Sequence, residues 1–335
     1  MENSEEFNKL DLSQVDPNHH TASLLFNYIS QKTIDSLLYL IEVYEDYFKV
    51  ELNEIKEKLR HSLKEKVNPK LFFFHHALKS AIESQDPNSA TAVIKHFESY
   101  SIIDFSVDTS KRISFINLDD EEWVLECAKI SAEIDTSKWP HNETEKVFLD
   151  EIRKITEDVL LMLDKHHREL YNEILVYVNT VVLSCDERLM GPLGYPLLGG
   201  TSVSYHGALF MQIPSDYIFF KELILEHLAH EAAHIHINSI LATDPLVLND
   251  ISELYTSSVR KDPRPIIGIY HTMFVLCRVL MAFDACRVDL NDEYISKQYA
   301  DVQDQFNRAF LTCEKNAKLT TLGLSILENC RAYFR

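Results

Sequence analysis

The sequence predicts a mostly α-helical α+β protein, with a small strand element leading into one motif-bearing helix. Three observations predict it. All seven glycines lie between Gly191 and Gly323, so the first half favours helices joined by Asn, Pro, Ser and Asp turns. Val147, Ile152, Ile155, Val159, Leu160 and Leu163 recur at helical spacing, as an amphipathic stripe requires. Residues 113–116, 176–183 and 202–213 are β-branched or alternating, and these suit strands.

Taken in order, helices are expected over 21–67 with a break, then over 69–84 and 89–100. Residues 108–117 read as a short hairpin or extended connector, and a helix should cover 119–134. The segment 135–142, with Trp139-Pro140, is the expected boundary between an N-terminal helical region (1–142) and a metal-binding catalytic domain (143–335). A long helix over 144–175 and a strand over 176–183 follow. Residues 191–200, G-P-L-G-Y-P-L-L-G-G, must be loop or turns. The strand within 202–213 delivers the chain to a helix over 217–241 that holds no Gly or Pro. Asp216 is its expected N-cap, and Glu222 and Glu226 suit its early turns. Beyond it come a Lys-Asp-Pro-Arg-Pro corner, a very apolar helix over 266–286, and helices over 293–315 and 320–334. The mixed run Lys56–Lys66 reads as a solvated helix face.

With 335 residues the chain can bury a sizeable core. Its formal charge of −19 argues against nucleic acid or an anionic membrane as partner and is compatible with a peptide. The opening residues lack the apolar core of a signal peptide, and no run approaches the roughly 18 apolar residues that span a bilayer. A cytoplasmic protein is therefore expected. Its cysteines, Cys127, Cys185, Cys277, Cys286, Cys313 and Cys330, form no C-x-x-C pair and read as reduced core residues.

The chemistry centres on His230-Glu231-Ala232-Ala233-His234. On a helix, positions i and i+4 lie one above the other, so both imidazoles can reach one metal ion, with Glu231 beside it. Two histidines leave a metal site incomplete, and a third ligand decides its type. His227 faces roughly the same way as His230, although three ligands from one helix rarely converge. His236 points away from His234. Glu253 stands near the spacing at which thermolysin-like zinc peptidases supply a glutamate from a second helix. His271 lies in the very apolar helix, where an imidazole needs a polar partner or a metal.

Residues 199–283 resemble the H-E-x-x-H peptide-modifying enzymes found beside ribosomally made peptide precursors. The matching parts are Gly199-Gly200-Thr201-Ser202, Gly207-Ala208-Leu209-Phe210, the motif with Ile237-Asn238, and Arg260-Lys261-Asp262-Pro263-Arg264-Pro265-Ile266-Ile267-Gly268-Ile269-Tyr270-His271. The chain departs from that pattern at His236, where the family often has Lys, and at Val259, where it often has an aromatic residue. The resemblance implies an iron(II), 2-oxoglutarate-dependent oxygenase that hydroxylates the β-carbon of a peptide side chain. Its metal site would be non-cupin and lie between helices. His230, His234 and His271 would bind iron, with dioxygen as cosubstrate. Arginine's planar fork suits the distal carboxylate of 2-oxoglutarate; Arg264 is the first choice, Arg260 the second and Arg278 a weaker third. Glu231 would orient a ligand or the substrate, with Tyr255 and the 191–204 loop near the pocket. Two other readings compete. One is a zinc(II) peptidase using His230, His234 and Glu253 with Glu231 as general base. The other is a non-enzymatic helical partner-binding protein with a vestigial metal site.

Overall fold

Helices carry most of the described chain, accompanied by one small mixed sheet and one two-stranded ribbon. The structure is a computed structural model that describes residues 10–45, 48, 52–62, 67–99, 112–117, 123–124, 143–184, 199–213 and 220–334. The expected helix over 119–134 lies outside these residues apart from Trp123 and Val124. The Asp216 cap, the Trp139-Pro140 boundary, Cys127, Cys185 and most of the 191–200 loop also lie outside them.

Rather than one cut at residue 142, the chain forms two units that interleave along the sequence. One combines Met1–Leu25, Glu143–Tyr177 and Ser215–Arg335; the other combines Phe26–Asn142 and Val178–Pro214. The reason is strand pairing. β1 (Ser114–Asn117) pairs in parallel with β2 (Thr180–Ser184), and no tight turn can join parallel neighbours, so the chain leaves and returns. The hairpin or connector expected over 108–117 thus contains a strand of a parallel pair.

In the second of these units the sheet order is β1-β2-β4-β3, with β3 (Gly199–Gly200) and β4 (Ala208–Gln212) antiparallel. Every residue of β4 is buried, as a strand covered on both faces requires. Phe73, Trp123, Val182, Tyr205 and Phe210 belong to one apolar cluster. The unit's helices are most of α1 (His19–Val43), then α2 (Asn53–Ser62), α3 (Pro69–Glu83) and α4 (Pro87–Ser99). Asn68 caps α3 by accepting from the Lys70 amide. On α2, Lys58 pairs with Glu54 and Arg60 with Glu57, while Lys58 also donates to the Glu98 carbonyl.

The first unit holds α5 (Glu143–His166), α6 (Arg168–Tyr177), α7 (Phe220–Leu241), β5 (Leu254–Tyr255), β6 (Arg264–Pro265), α8 (Ile266–Cys286), α9 (Asp292–Asn316) and α10 (Thr321–Tyr333). The single helix expected over 144–175 is broken at His167. The ring of His167 accepts from the Leu170 amide at 3.3 Å through Nδ1, so it starts α6 as a cap would. α8 packs against α7 and α9. Contrary to the sequence expectation, one segment, Ile266–Asp289, is long and apolar enough to cross a membrane, and 78% of its most apolar window is buried within the protein. Its apolarity is that of a core helix. Cys277, Cys286, Cys313 and Cys330 are buried free thiols.

Gly323 shows how closely α10 is seated. A Cβ there would lie 2.3 Å from the Leu246 carbonyl oxygen, and Leu246 is itself held at φ 58°. The contact is with backbone, which cannot swing aside. Gly323→Ala is expected to cost about 1–3 kcal/mol or more, read as a lower midpoint in urea unfolding.

Candidate metal centre

α7 is buried on almost every side. Between Glu222 and Ile240 only Glu226, His227, His230, His234 and Asn238 keep partial exposure. These positions recur every three or four residues, so they form one stripe along the helix. The two motif imidazoles therefore line the one reachable face of a core helix.

His271 meets that face from the second turn of α8. Its Nε2 lies 3.0 Å from Nδ1 of His234, and Nε2 of His234 lies 3.0 Å from Nε2 of His230. Each pair of ring centroids is 4.7 Å apart. Burial, reinforced by the neighbouring His227 and His271, pushes His230 down to about 3. Burial takes His271 down to about 4. His234 is held well below the ordinary range by burial and by His230, His271 and Arg260. All three rings are neutral at pH 7, the form that binds a metal. A neutral imidazole has one N–H, so the contacts run one way along the chain. Either His230 donates to His234 and His234 to His271, or the order is reversed.

The donor set fits a metal ion chemically. Metal–nitrogen bonds of about 2.1 Å at right angles place two nitrogens about 3.0 Å apart. His234 now stands between its neighbours and turns a different nitrogen to each. As the side chains stand, no group of three or more His, Cys, Asp or Glu among the described residues is placed to hold a metal ion. A shared ion needs a ring to turn, within residues already in contact.

The depressed pKa values have a consequence for the metal-free protein. Unfolded imidazoles titrate near 6.5, so below that pH the unfolded chain binds protons that the folded chain does not. Their contribution to stability is present above pH 6.5 and is lost as pH falls toward about 4 and then about 3. The expected slope is up to about 1.4 kcal/mol per pH unit for each ring. Urea unfolding of the metal-free protein from pH 7 to 4.5 checks it: His271→Phe should flatten the profile.

The other expected site residues fall in different places. Glu231 is buried on α7. Nδ1–H of His227 donates to the Leu223 carbonyl at 2.8 Å, which fixes its tautomer. Glu253 accepts from Tyr255 Oη at 2.9 Å and Asn249 Nδ2 at 3.3 Å, with Lys318 at 3.8 Å. It precedes β5 in a turn, where the peptidase reading places it on a second helix. Tyr255 is engaged in the same contact. Arg264 lies in β6 with its Nε 3.3 Å from Asp262, whereas Arg260 is close enough to His234 to act on its charge. Arg278 is fully buried and paired with Glu173, so it cannot clamp a keto acid at the imidazoles. Thr201, from the loop expected near the pocket, donates to the Ala208 carbonyl.

Sequence reasoning missed Glu173 and Tyr177. The available signal was a carboxylate on the apolar face of α6, between Leu170, Ile174 and Tyr177, with one arginine deep in an apolar helix to answer it. No protein-family model and no curated protein matches the chain.

Proposed function

We propose that this chain is an iron(II), 2-oxoglutarate-dependent oxygenase that hydroxylates the β-carbon of a side chain in a ribosomally made peptide. The observation that carries the proposal is the 3.0 Å contact of His271 with His234. It gives the motif an imidazole as third donor, while Glu253 is occupied elsewhere. The likeness of residues 260–271 to the peptide-modifying enzymes supplies the choice of oxygenase over hydrolase.

His230, His234 and His271 would hold the metal. Iron(II) bound there supplies, with 2-oxoglutarate and dioxygen, the oxidising power to replace an unactivated C–H by C–OH, leaving succinate and carbon dioxide. The protein's own residues do the rest. Three neutral donors leave positions open for exchangeable ligands. Arg260, whose charge reaches His234, offers a planar fork for the distal carboxylate of the keto acid. Glu231 orients a ligand or the substrate, and the buried flanks of α7 keep bulk water from the reacting carbon.

Anaerobic titration of the purified protein with iron(II) and then 2-oxoglutarate tests this. A visible charge-transfer band at one equivalent of each is expected. Its absence, or zinc-dependent peptide cleavage in place of succinate formation, rejects the reading.

A further inference from the structure

The helix that carries His271 is tied a second time, deeper in the core, by charge to a third helix. Arg278 on α8 is 0% exposed and Glu173 on α6 is 1% exposed. Nη2 of Arg278 donates to Oε2 of Glu173 at 3.3 Å, and Nη1 lies 3.2 Å from Oε1 as an ion-pair contact without a hydrogen bond. The Asn18 amide donates to the same Oε2 at 3.1 Å. His236 on α7 completes the set, with Nδ1 3.0 Å from Tyr177 Oη and 3.9 Å from Glu173 Oε2. Its ring stacks on Phe274 at 5.5 Å and 12°. The guanidinium of Arg278 lies over that same ring, 5.3 Å from its centre.

The spacing gives these contacts a direction. Arg278 is two helical turns beyond His271 on one face of α8, and His236 follows His234 on α7. A slide or rotation of α7 against α8 that separates His234 from His271 must also disturb the stack of His236 on Phe274, the ring over which the Glu173-paired guanidinium lies. A buried ion pair adds little net stability over apolar residues of the same size, so stability alone does not account for it; its geometry is specific.

We propose that Glu173 and Arg278, acting through His236 and Phe274, are positioning residues that set α7 against α8 so that His234 and His271 meet. This rests on the metal-site reading above, and the test separates the two. The probes are cobalt(II), standing in for iron(II), and the imidazole nitrogen shifts of the metal-free protein in nuclear magnetic resonance. The single variants E173Q and R278M should melt at lower temperature. In the double variant E173M/R278M no lone charge is left buried, and the melting temperature should return close to that of the parent. Cobalt(II) affinity should nevertheless stay about tenfold weaker, in the range for lost support of a metal ligand. Its visible band should change, and the hydrogen-bonded shift pattern of His234 and His271 should be lost. A double variant with parental affinity and parental shifts overturns the proposal. Should that variant fail to fold, R278K, which keeps the charge but not the planar guanidinium over Phe274, decides: weaker cobalt binding with altered shifts supports the proposal, and unchanged values of both overturn it. If the parent protein itself binds no cobalt, the metal reading fails, while the imidazole shifts of the metal-free proteins still decide whether the pair positions the rings.

Discussion

Replacing His271 by alanine is expected to remove iron(II) and cobalt(II) binding while leaving the protein folded. The ring meets His234 at 3.0 Å and is the donor that α8 contributes. Losing a residue that merely supports a metal ligand typically costs 10- to 100-fold in affinity, so loss of a ligand should exceed about 100-fold. Glu253→Ala is the matched control. That carboxylate is tied to Tyr255 and Asn249, and its removal should change affinity less than about threefold, a difference worth under 1 kcal/mol. Equilibrium dialysis with iron(II) under argon measures both. The opposite ranking would put the zinc peptidase in first place, because only that chemistry needs Glu253 at the metal.

The second large effect is expected at Arg260. Hydrogen bonds to charged groups are worth about 1.5–3 kcal/mol. Arg260→Ala should therefore raise the 2-oxoglutarate concentration needed for half-maximal succinate formation by about 10- to 100-fold. Iron affinity should hold, since arginine donates nothing to a cation. Arg264→Ala should move that requirement little, because the side chain is already 3.3 Å from Asp262. An unchanged requirement in Arg260→Ala, with a large rise in Arg264→Ala, would reverse the assignment.

Which arginine serves depends on side-chain placement that the sequence does not encode. Two prolines around Arg264 suggest a stiff presentation, but a stiff backbone does not say where the side chain points. The Asp262 partner and the Tyr255–Arg264 strand pairing are local facts that no spacing encodes. The motif helix was easy to read because i and i+4 geometry is intrinsic to a helix. His271 could be nominated as a polar residue in an apolar run, although its meeting with His234 depends on how α8 crosses α7. Helix bounds were legible where caps are local: Asn68, Asn291 and Thr320 each accept from an amide two or three residues on. The break at His167 was not, because histidine is an unusual cap. The parallel pairing of β1 with β2 was hidden for a different reason. It joins segments far apart along the chain, and neither strand carries a mark of its partner.

The interleaving of the two units bears on how the protein can be divided. An expressed fragment starting at residue 143 would omit Asn18, whose amide serves the buried Glu173, and would keep 178–214 without the strand that β2 pairs with. Such a fragment would expose an open sheet edge and leave a carboxylate short of a donor in the interior. Swapping or trimming the front of the gene is thus an operation on the imidazole-bearing unit itself, and libraries that treat residues before 143 as a detachable accessory would be selecting on foldability before they select on chemistry.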